Sequence, residues 1–257
     1  MVKLDRQTLA ERIAAELRRR ILCGDLAAGV RLPAERSLAE TYETNRNTLR
    51  EAIRLLEMEG LVCVRHGSGV LVNDFRSEGQ LRLLPHLLAE MPDPRVRHRE
   101  IADLLCLRRL VLSETAALAA LRATEEDLEA LRRAVAAIEA APDADEILSI
   151  ELDVAFYRAL AAAAHSHTIQ WSISTFARMF SQTMEVVTAL WVYPQDYLSS
   201  LTLVLRGVVD RQPEYARRKL EQHLRRGDEI LMKALEGPRP APRPGAAKPG
   251  GSHGNRP

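Results

Sequence analysis

The chain has 257 residues, with 36 Lys and Arg against 35 Asp and Glu, and aromatic residues make up only 4% of it. This balance excludes a protein that binds nucleic acid or anionic lipid by bulk charge alone, and the shortage of rings argues against a stacking surface for single-stranded nucleic acid. No apolar run approaches the ~18 residues of a membrane span, no signal-peptide pattern opens the chain, and its scattered cysteines are typical of a reducing compartment, so we expect a cytoplasmic globular protein.

The N-terminal segment predicts three short helices. Apolar residues recur every four positions in the first of them, at Leu9, Ile13, Leu17 and Ile21. Gly24 ends that helix, and Pro33 favours the start of a second one over residues 34–42. Asn45 is a good N-cap for the third helix, which ends at Gly60.

The period of the apolar residues then changes to two. Val62 and Val64 precede a Gly-rich tip at residues 66–69, and Val70 and Val72 follow it. Two alternating segments around such a tip are typical of a β-hairpin. Three helices followed by a two-stranded wing predict a winged helix-turn-helix domain over residues 1–76.

The rest of the chain predicts an all-α bundle over residues 77–236, large enough to enclose a ligand cavity. Its helices are expected near residues 78–90, 97–122, 125–140, 144–165, 168–191, 194–211 and 213–235. Thr124 with Asp127 three residues later forms a capping pattern. Residues 237–257 are rich in Pro and Gly, with four basic residues and no acid, so we expect a disordered tail. The fold class is therefore mainly α.

Polar side chains of the third helix point to DNA. Its first turn and one face carry Asn45, Arg46, Asn47, Thr48, Arg50 and Arg54. The three arginines are four residues apart, so they share one face of the helix. Amide and guanidinium groups at the start of a recognition helix bind base edges, and long cations contact phosphates.

Two positions outside this helix extend the candidate DNA surface. Arg36, in the second helix, can contact the DNA backbone or a guanine from the side. His66 stands at the wing tip next to Gly67, where the backbone can approach a minor groove closely. The alternative is a solvated helix face with Glu51 and Glu57 as ion-pair partners. Spacing alone leaves both interpretations open, and the wing favours DNA binding.

These motifs together resemble the GntR family of bacterial transcription regulators. The resemblance is carried by residues 32–36 (LPAER), 45–52 (NRNTLREA), 55–61 and 65–69 (RHGSG), in this order and spacing. It implies that operator DNA is contacted by Arg36, Asn45, Arg46, Asn47, Thr48, Arg50, His66 and Gly67. Asn45 and Asn47 stand where hydroxyl residues are common in the family, which implies a different preferred base. The helical domain resembles the ligand-binding half of the FadR branch.

The resemblance also implies an effector site in the helical domain. The fatty-acid-responsive FadR regulators bind long-chain acyl-CoA there, so acyl-CoA is the first expected effector, with no other cofactor. The pocket is expected to involve Tyr157, Tyr193, His223, Gly227 and Leu231, with Arg108 and Arg109 for a CoA phosphate or a carboxylate. Core tyrosines and solvated helix arginines are the alternative interpretations of these residues.

Many members of this branch hold a metal through an Asp, a His four residues later, and two further His about 22 residues apart. Here Asp153 is followed by Tyr157 at that position, and Leu201 stands 22 residues before His223. Two of the four ligand types are missing, so no metal is expected at this degenerate remnant, Asp153 and His223. His165 and His167 are interpreted as a pair at a helix end.

Three functions are compatible with these observations. The first is a homodimeric regulator that binds a palindromic operator and responds to acyl-CoA. The second keeps the DNA-binding domain and replaces the effector by a small organic acid, held by Arg108 or Arg109 and assisted by a residual metal at Asp153 and His223. The third, an all-α enzyme, has no nucleophile-base set, phosphate loop or paired-carboxylate motif in the sequence, so we expect no enzyme.

Overall fold

The computed structural model describes residues 8–65, 69–141, 146–185 and 194–236. The chain forms two compact units, Met1–Asp103 with Trp171–Val186, and Leu104–Gln170 with Val187–Pro257. The N-terminal elements are α1 (Leu9–Leu22), α2 (Glu35–Thr41), α3 (Arg46–Met58), β1 (Val62–Arg65), β2 (Gly69–Val72), α4 (Phe75–Glu78), a 3-10 turn (Leu81–Leu83) and α5 (Leu84–Glu90). The remaining helices are α6 (Pro94–Arg122), α7 (Glu125–Glu139), α8 (Glu146–Ala163), α9 (His167–Glu185), α10 (Tyr197–Val209) and α11 (Pro213–Glu236).

The N-terminal helices form around one apolar core, as their periodicity predicts. Helix α3 packs against α1 and α2, and Leu17, Leu49 and Leu56 are fully buried between them. The Asn45 Oδ1 accepts a hydrogen bond from the Thr48 backbone N–H at 2.9 Å, which confirms the predicted N-cap of α3. Helix α1 ends just before Gly24, whose φ of +86° suits glycine.

The predicted wing is confirmed, and it is larger than the sequence indicates. Strands β1 and β2 are antiparallel, with Val62 opposite Val72. A third segment joins β2 on its other edge, because Arg31 pairs with Leu71 and the Leu32 N–H donates to the Val70 carbonyl at 2.9 Å. The two-stranded wing therefore gains a short extended segment on its second edge, which comes from the loop between α1 and α2.

The single helix predicted over residues 78–90 is wrong. Helix α4 ends before Gly79, whose backbone is extended, and a 3-10 turn separates it from α5. Pro85 lies in the first turn of α5, the only turn of a helix that tolerates a residue without an N–H donor. The backbone of Gly60 lies close to that of Glu78, at the end of α4. A Cβ on Gly60 would lie 2.0 Å from the Glu78 carbonyl oxygen, so this close approach requires glycine.

In the second unit, α7 packs against α8 and α10, and α10 packs against α11. Phe156, Leu160, Leu201 and Leu220 are fully buried in its core. The Thr124 hydroxyl and Asp127 carboxylate form the predicted capping box at the start of α7. The mainly α fold class is confirmed, and no helix of the described ranges is long and apolar enough to cross a membrane.

Several predicted helix ends differ from the observed ones by a few residues. Helix α6 begins three residues earlier than expected, at Pro94, and α10 begins three residues later, at Tyr197. The end of the helix predicted over residues 168–191 and the tail predicted over residues 237–257 lie outside the described residues.

Candidate functional site

The exposed face of α3 carries the predicted DNA-contacting arginines. Arg46, Arg50 and Arg54 are exposed, while Leu49 and Ile53 on the opposite face are buried. Arg50 donates to Glu35 at 2.9 Å, whereas Arg46 and Arg54 have no ion pair with any described residue.

The two acids proposed as partners in the alternative interpretation do not neutralise this face. Neither Glu51 nor Glu57 pairs with an arginine within the described part of the chain. Glu57 instead accepts a hydrogen bond from the Val64 backbone N–H at 3.2 Å, and so it joins α3 to the wing. The interpretation of α3 as a face neutralised by these acids is therefore wrong.

The other predicted DNA contacts are placed differently. Asn47 is exposed beside Arg46, and Thr48 is half-buried. The Asn45 oxygen is used in capping α3, so its amide N–H₂ is the group that DNA can reach. Arg36 is exposed and donates to Glu40 at 3.1 Å. His66 and Gly67 lie outside the described residues.

Arg31 is a basic residue of the wing that sequence reasoning missed. It is exposed, and its Cδ lies 3.7 Å from the position that a Cβ would take on Gly69. Arg65, at the end of β1, is also exposed. No local signal could place Arg31 on the wing, because its strand partner Leu71 is 40 residues away in sequence.

Arg108 and Arg109 are not solvated helix charges, which corrects the alternative interpretation. Both donate to Asp228 of α11, Arg108 to Oδ1 at 2.6 Å and Arg109 to Oδ2. The Arg108 side chain is only 9% exposed and that of Asp228 only 6%. Burial raises the pKa of Asp228, and the two guanidinium groups oppose that rise. Sequence reasoning missed Asp228 because its partners lie about 120 residues away.

A small cavity brings four of the predicted effector residues together. It is lined by Arg108, Asp153, Tyr157, Pro194, Tyr197, His223, Leu224 and Gly227. Its volume of about 10 Å³ is close to what one water molecule needs. Leu231 is buried but does not line this cavity, and Tyr193 lies outside the described residues.

The hydrogen bonds around His223 favour one tautomer of its ring. Its Nδ1 lies 2.6 Å from the Ser200 Oγ, and that hydroxyl donates its only proton to the Tyr197 carbonyl at 2.7 Å. With the Ser200 proton directed to that carbonyl, the matching tautomer of His223 carries its proton on Nδ1 and leaves Nε2 as an acceptor. Burial, aided by the charge of Arg108, lowers the pKa of His223 to about 4, so the ring is neutral near pH 7.

Asp153 is held by two tyrosine hydroxyl groups. Tyr197 of α10 and Tyr157 of α8 both hydrogen-bond to its carboxylate. Burial raises the pKa of Asp153 to about 6, although these bonds and Arg108 oppose the rise. Leu201, which stands where the family has a ligating His, is fully buried, whereas Tyr197 and Ser200 are the α10 residues that contact the site.

These residues do not fit a divalent metal. The described ranges contain no group of three or more His, Cys, Asp and Glu that could hold one. Asp153 and His223 are both engaged by hydroxyl groups, and the Arg108 cation influences the pKa of each. His165 and His167, the other two histidines considered above, lie at helix ends. His165 follows α8, and its Nε2 lies 2.7 Å from the Asp127 Oδ2. His167 is the first residue of α9.

Two families match the chain. Residues 9–72 match the bacterial regulatory proteins of the gntR family, and residues 103–226 match the FCD domain. A putative L-lactate dehydrogenase operon regulatory protein of Escherichia coli is 30% identical over 87% of this chain and 86% of that protein. The Glc operon transcriptional activator of the same species is 28% identical over 87% of this chain and 89% of that protein.

The fold also has a counterpart among solved structures. A protein described as Lar, which controls the expression of the Listeria monocytogenes agr system, aligns with a TM-score of 0.57 and 18% identity over 91% of this chain and 99% of that one. The matching domains and the curated relatives are transcription regulators and not enzymes. The protein therefore belongs to the GntR family of DNA-binding transcription regulators, with a winged helix-turn-helix domain followed by an FCD domain.

Proposed function

We propose that this regulator binds a two-fold symmetric operator as a homodimer and that a small 2-hydroxy carboxylic acid controls its affinity for DNA. The observation that carries the effector proposal is the juxtaposition of a buried guanidinium group, Arg108, and a neutral imidazole acceptor, His223, in one cavity.

The DNA contacts are proposed for α3 and the wing. Arg46 and Asn47 at the start of α3 would bind base edges, and Arg54 would contact a phosphate. Arg36 and Arg50 are exposed and paired with acids, and such surface pairs are weak enough to be exchanged for phosphates. Arg31 and Arg65 would add phosphate contacts from the wing.

The effector chemistry follows from the donors and acceptors of the cavity. A carboxylate would bind Arg108 through charge-assisted hydrogen bonds and share that guanidinium with Asp228. A hydroxyl group on the neighbouring carbon would donate to the Nε2 of His223. A simple carboxylic acid lacks this donor, so it would leave the imidazole acceptor unsatisfied on binding.

The size of the cavity favours a small acid over acyl-CoA. The cavity has a volume of about 10 Å³ and must expand to hold any effector. A three-carbon acid requires a much smaller expansion than an acyl chain does. A relative named for an L-lactate dehydrogenase operon is consistent with a 2-hydroxy acid. Acyl-CoA, which the resemblance to FadR regulators implies, is the second candidate and is tested in the same experiment.

Thermal unfolding of the purified full chain tests the effector. We expect L-lactate and glycolate to raise the Tm, whereas propionate and acetate, which lack the hydroxyl group, do so only at about tenfold or higher concentration. Arg108→Met removes the response, while Arg225→Met, which changes an exposed arginine of α11, retains it. A response to oleoyl-CoA alone, unaffected by Arg108→Met, would support acyl-CoA and overturn the small-acid proposal.

Selection from a random DNA library tests the operator. We expect the full chain to enrich an inverted repeat, because two recognition helices related by a two-fold axis contact two half-sites. The selected DNA then serves to measure whether the effector changes affinity, with an expected coupling of ~1–3 kcal/mol. Enrichment of no motif, or of a single unrepeated half-site, would contradict the proposed operator.

A further inference from the structure

Asp228 joins α11 to two consecutive arginines of α6. Its Oδ1 accepts a hydrogen bond from Arg108 at 2.6 Å and its Oδ2 accepts one from Arg109, so each oxygen is engaged by a different guanidinium group. Burial raises the pKa of Asp228, but both guanidinium groups favour its ionised form. A buried carboxylate of this kind is a fixed negative charge that solvent screens only weakly.

Of these three side chains, only that of Arg108 lines the cavity proposed for the effector. Arg109 and Asp228 are not among the lining residues of that cavity. An effector in the cavity would therefore contact Arg108 directly, whereas Asp228 would act on the effector through the charge that it neutralises on Arg108.

The charges around the cavity balance without an effector. Among the described residues, two cations and two acids form this cluster: Arg108, Arg109, Asp153 and Asp228. His223 is neutral near pH 7, and the adjacent Arg226 and Asp196 are exposed and paired with each other. An effector carboxylate would therefore add a third acid to two cations.

We infer that Asp228 sets the affinity of the site for its effector and limits that effector to one carboxylate group. The inference rests on the proposed function, because it takes the effector to be an acid bound at Arg108. Asp228 neutralises part of the Arg108 charge, which weakens the attraction for the first carboxylate. It also neutralises Arg109, which leaves no cation for a second carboxylate. The site therefore takes monocarboxylic 2-hydroxy acids and rejects dicarboxylic ones.

Electrostatics in a buried site make this effect large. A carboxylate bound to the same guanidinium group as Asp228 lies close to it, and like charges repel strongly where water is excluded. A second carboxylate on the effector would meet the same repulsion and would lose its hydration without gaining a partner. Asp228 is therefore a specificity-determining residue that the effector itself does not contact.

Calorimetric titration of the purified full chain with L-lactate tests the effect on affinity. Asp228→Asn should bind L-lactate about tenfold more tightly, because asparagine keeps the size and an acceptor oxygen but removes the repulsive charge. Arg109→Gln should bind it about tenfold more weakly, because Asp228 then neutralises Arg108 alone. Loss of either partner of a merely structural ion pair would change the affinity in the same direction.

Two further points keep this test decisive. The Arg109 side chain is 22% exposed, so Arg109→Gln supplies the test even where Asp228→Asn does not fold. An unchanged or tighter affinity in Arg109→Gln would overturn the inference. Asp210→Asn, which removes an acid from an exposed pair with Arg206, is the matched control and should leave the affinity unchanged.

Selectivity is tested with two acids of equal length. L-2-Hydroxybutyrate and L-malate both have four carbons, but only malate has a second carboxylate. We expect the wild type to bind hydroxybutyrate about tenfold or more tightly than malate, and Asp228→Asn to lose this preference because Arg109 becomes available. A wild type that binds the two acids equally well would overturn the inference.

Failure of this inference and failure of the proposed function give different results. If the wild type binds L-lactate and both variants bind it equally well, the role of Asp228 is overturned and the proposed effector stands. If the wild type binds no hydroxy acid, the proposed effector fails, and formate tests Asp228 by itself. At constant ionic strength, formate should raise the Tm of Asp228→Asn more than that of the wild type, and adding Arg108→Met should remove the difference. Equal responses to formate would overturn the inference as well.

Discussion

Arg18 and Glu59 form a buried two-point ion pair in the N-terminal unit. The Arg18 Nε donates to Oε2 at 2.7 Å and its NH2 donates to Oε1 at 2.5 Å, with side chains only 11% and 9% exposed. The Glu59 carbonyl also accepts from the Gln80 N–H at 2.9 Å. One residue thus fixes the end of the recognition helix α3 both to α1 and to the segment that follows the wing.

We expect Glu59→Gln to lower the free energy of unfolding by about 3 kcal/mol, because it leaves the Arg18 charge buried and uncompensated. Urea denaturation measures the loss. The matched control is Glu16→Gln, which breaks a pair of the same two-point geometry with Arg19 on the exposed side of α1 and should change the midpoint little. Equal losses in both variants would show that burial is not what makes the Arg18 pair important.

Arg46→Ala should weaken binding to the selected operator by about 1–3 kcal/mol and relax the preference for one base. The reason is that Arg46 lies at the start of α3 and has no ion pair with a described residue that it would have to leave. Fluorescence anisotropy with the operator and its single-base variants measures both effects. Arg12→Ala removes an equal charge from an exposed position of α1, and a similar loss there would contradict a specific role for Arg46.

Arg31→Ala should weaken binding to all DNA sequences alike and reduce the slope of log K against log salt by about 1. A side chain on the segment that borders the wing is expected to contact a phosphate, and a phosphate contact carries no sequence information. Titrations at several salt concentrations measure the slope. A loss confined to some base variants would instead indicate that Arg31 contacts a base.

His223 and Asp153, in the cavity proposed for the effector, should have opposite effects on the pH dependence of stability. The folded-state pKa of His223, about 4, lies below its ordinary value of 6.5, so the unfolded chain binds a proton that the folded chain does not, and acid destabilises. The pKa of Asp153, about 6, lies above its ordinary 3.8, so acid stabilises through this group. Between pH 6 and 4 the two effects largely cancel.

Asp153→Asn removes one of these effects and leaves the other. On acidification from pH 6.5 to 4.5 we expect the variant to lose about 2 kcal/mol more stability than the wild type. Urea midpoints across this range measure the difference, since the other titrating groups are common to both proteins. Parallel curves for the two proteins would show that Asp153 does not bind a proton in this range.

Features that depend on local sequence could be predicted. The spacing of Leu9, Ile13, Leu17 and Ile21 predicts α1, because a helix brings residues four apart to one face. Asn45 and Thr124 predict the starts of α3 and α7, because a capping side chain bonds to a backbone N–H within three residues. The hairpin follows from apolar residues that alternate every second position, and the arginine face of α3 follows from arginines spaced four residues apart.

The candidate effector site was predicted only in part. Arg108, Tyr157, His223 and Gly227 were identified through the family resemblance, and they do line one cavity. Asp228, Tyr197 and Ser200 could not be found in this way, since each bonds to a residue at least 23 positions away on another helix. Which face of α10 is turned toward His223 depends on how the two helices pack. The family's ligand spacing falls on Leu201, whereas the residue that contacts His223 is Ser200.

The sequence by itself determined the order of the helices, their caps, the wing hairpin and the arginine face of α3, because each depends on contacts within a few residues. Only the tertiary structure decided that Arg31 lies on the wing, that Asp228 is shared by Arg108 and Arg109, and that hydroxyl groups surround Asp153 and His223. These pairings form when segments distant in the chain are packed together and water is excluded, and a buried charge or hydrogen-bonding group must then find its partner among whatever side chains the packing brings near.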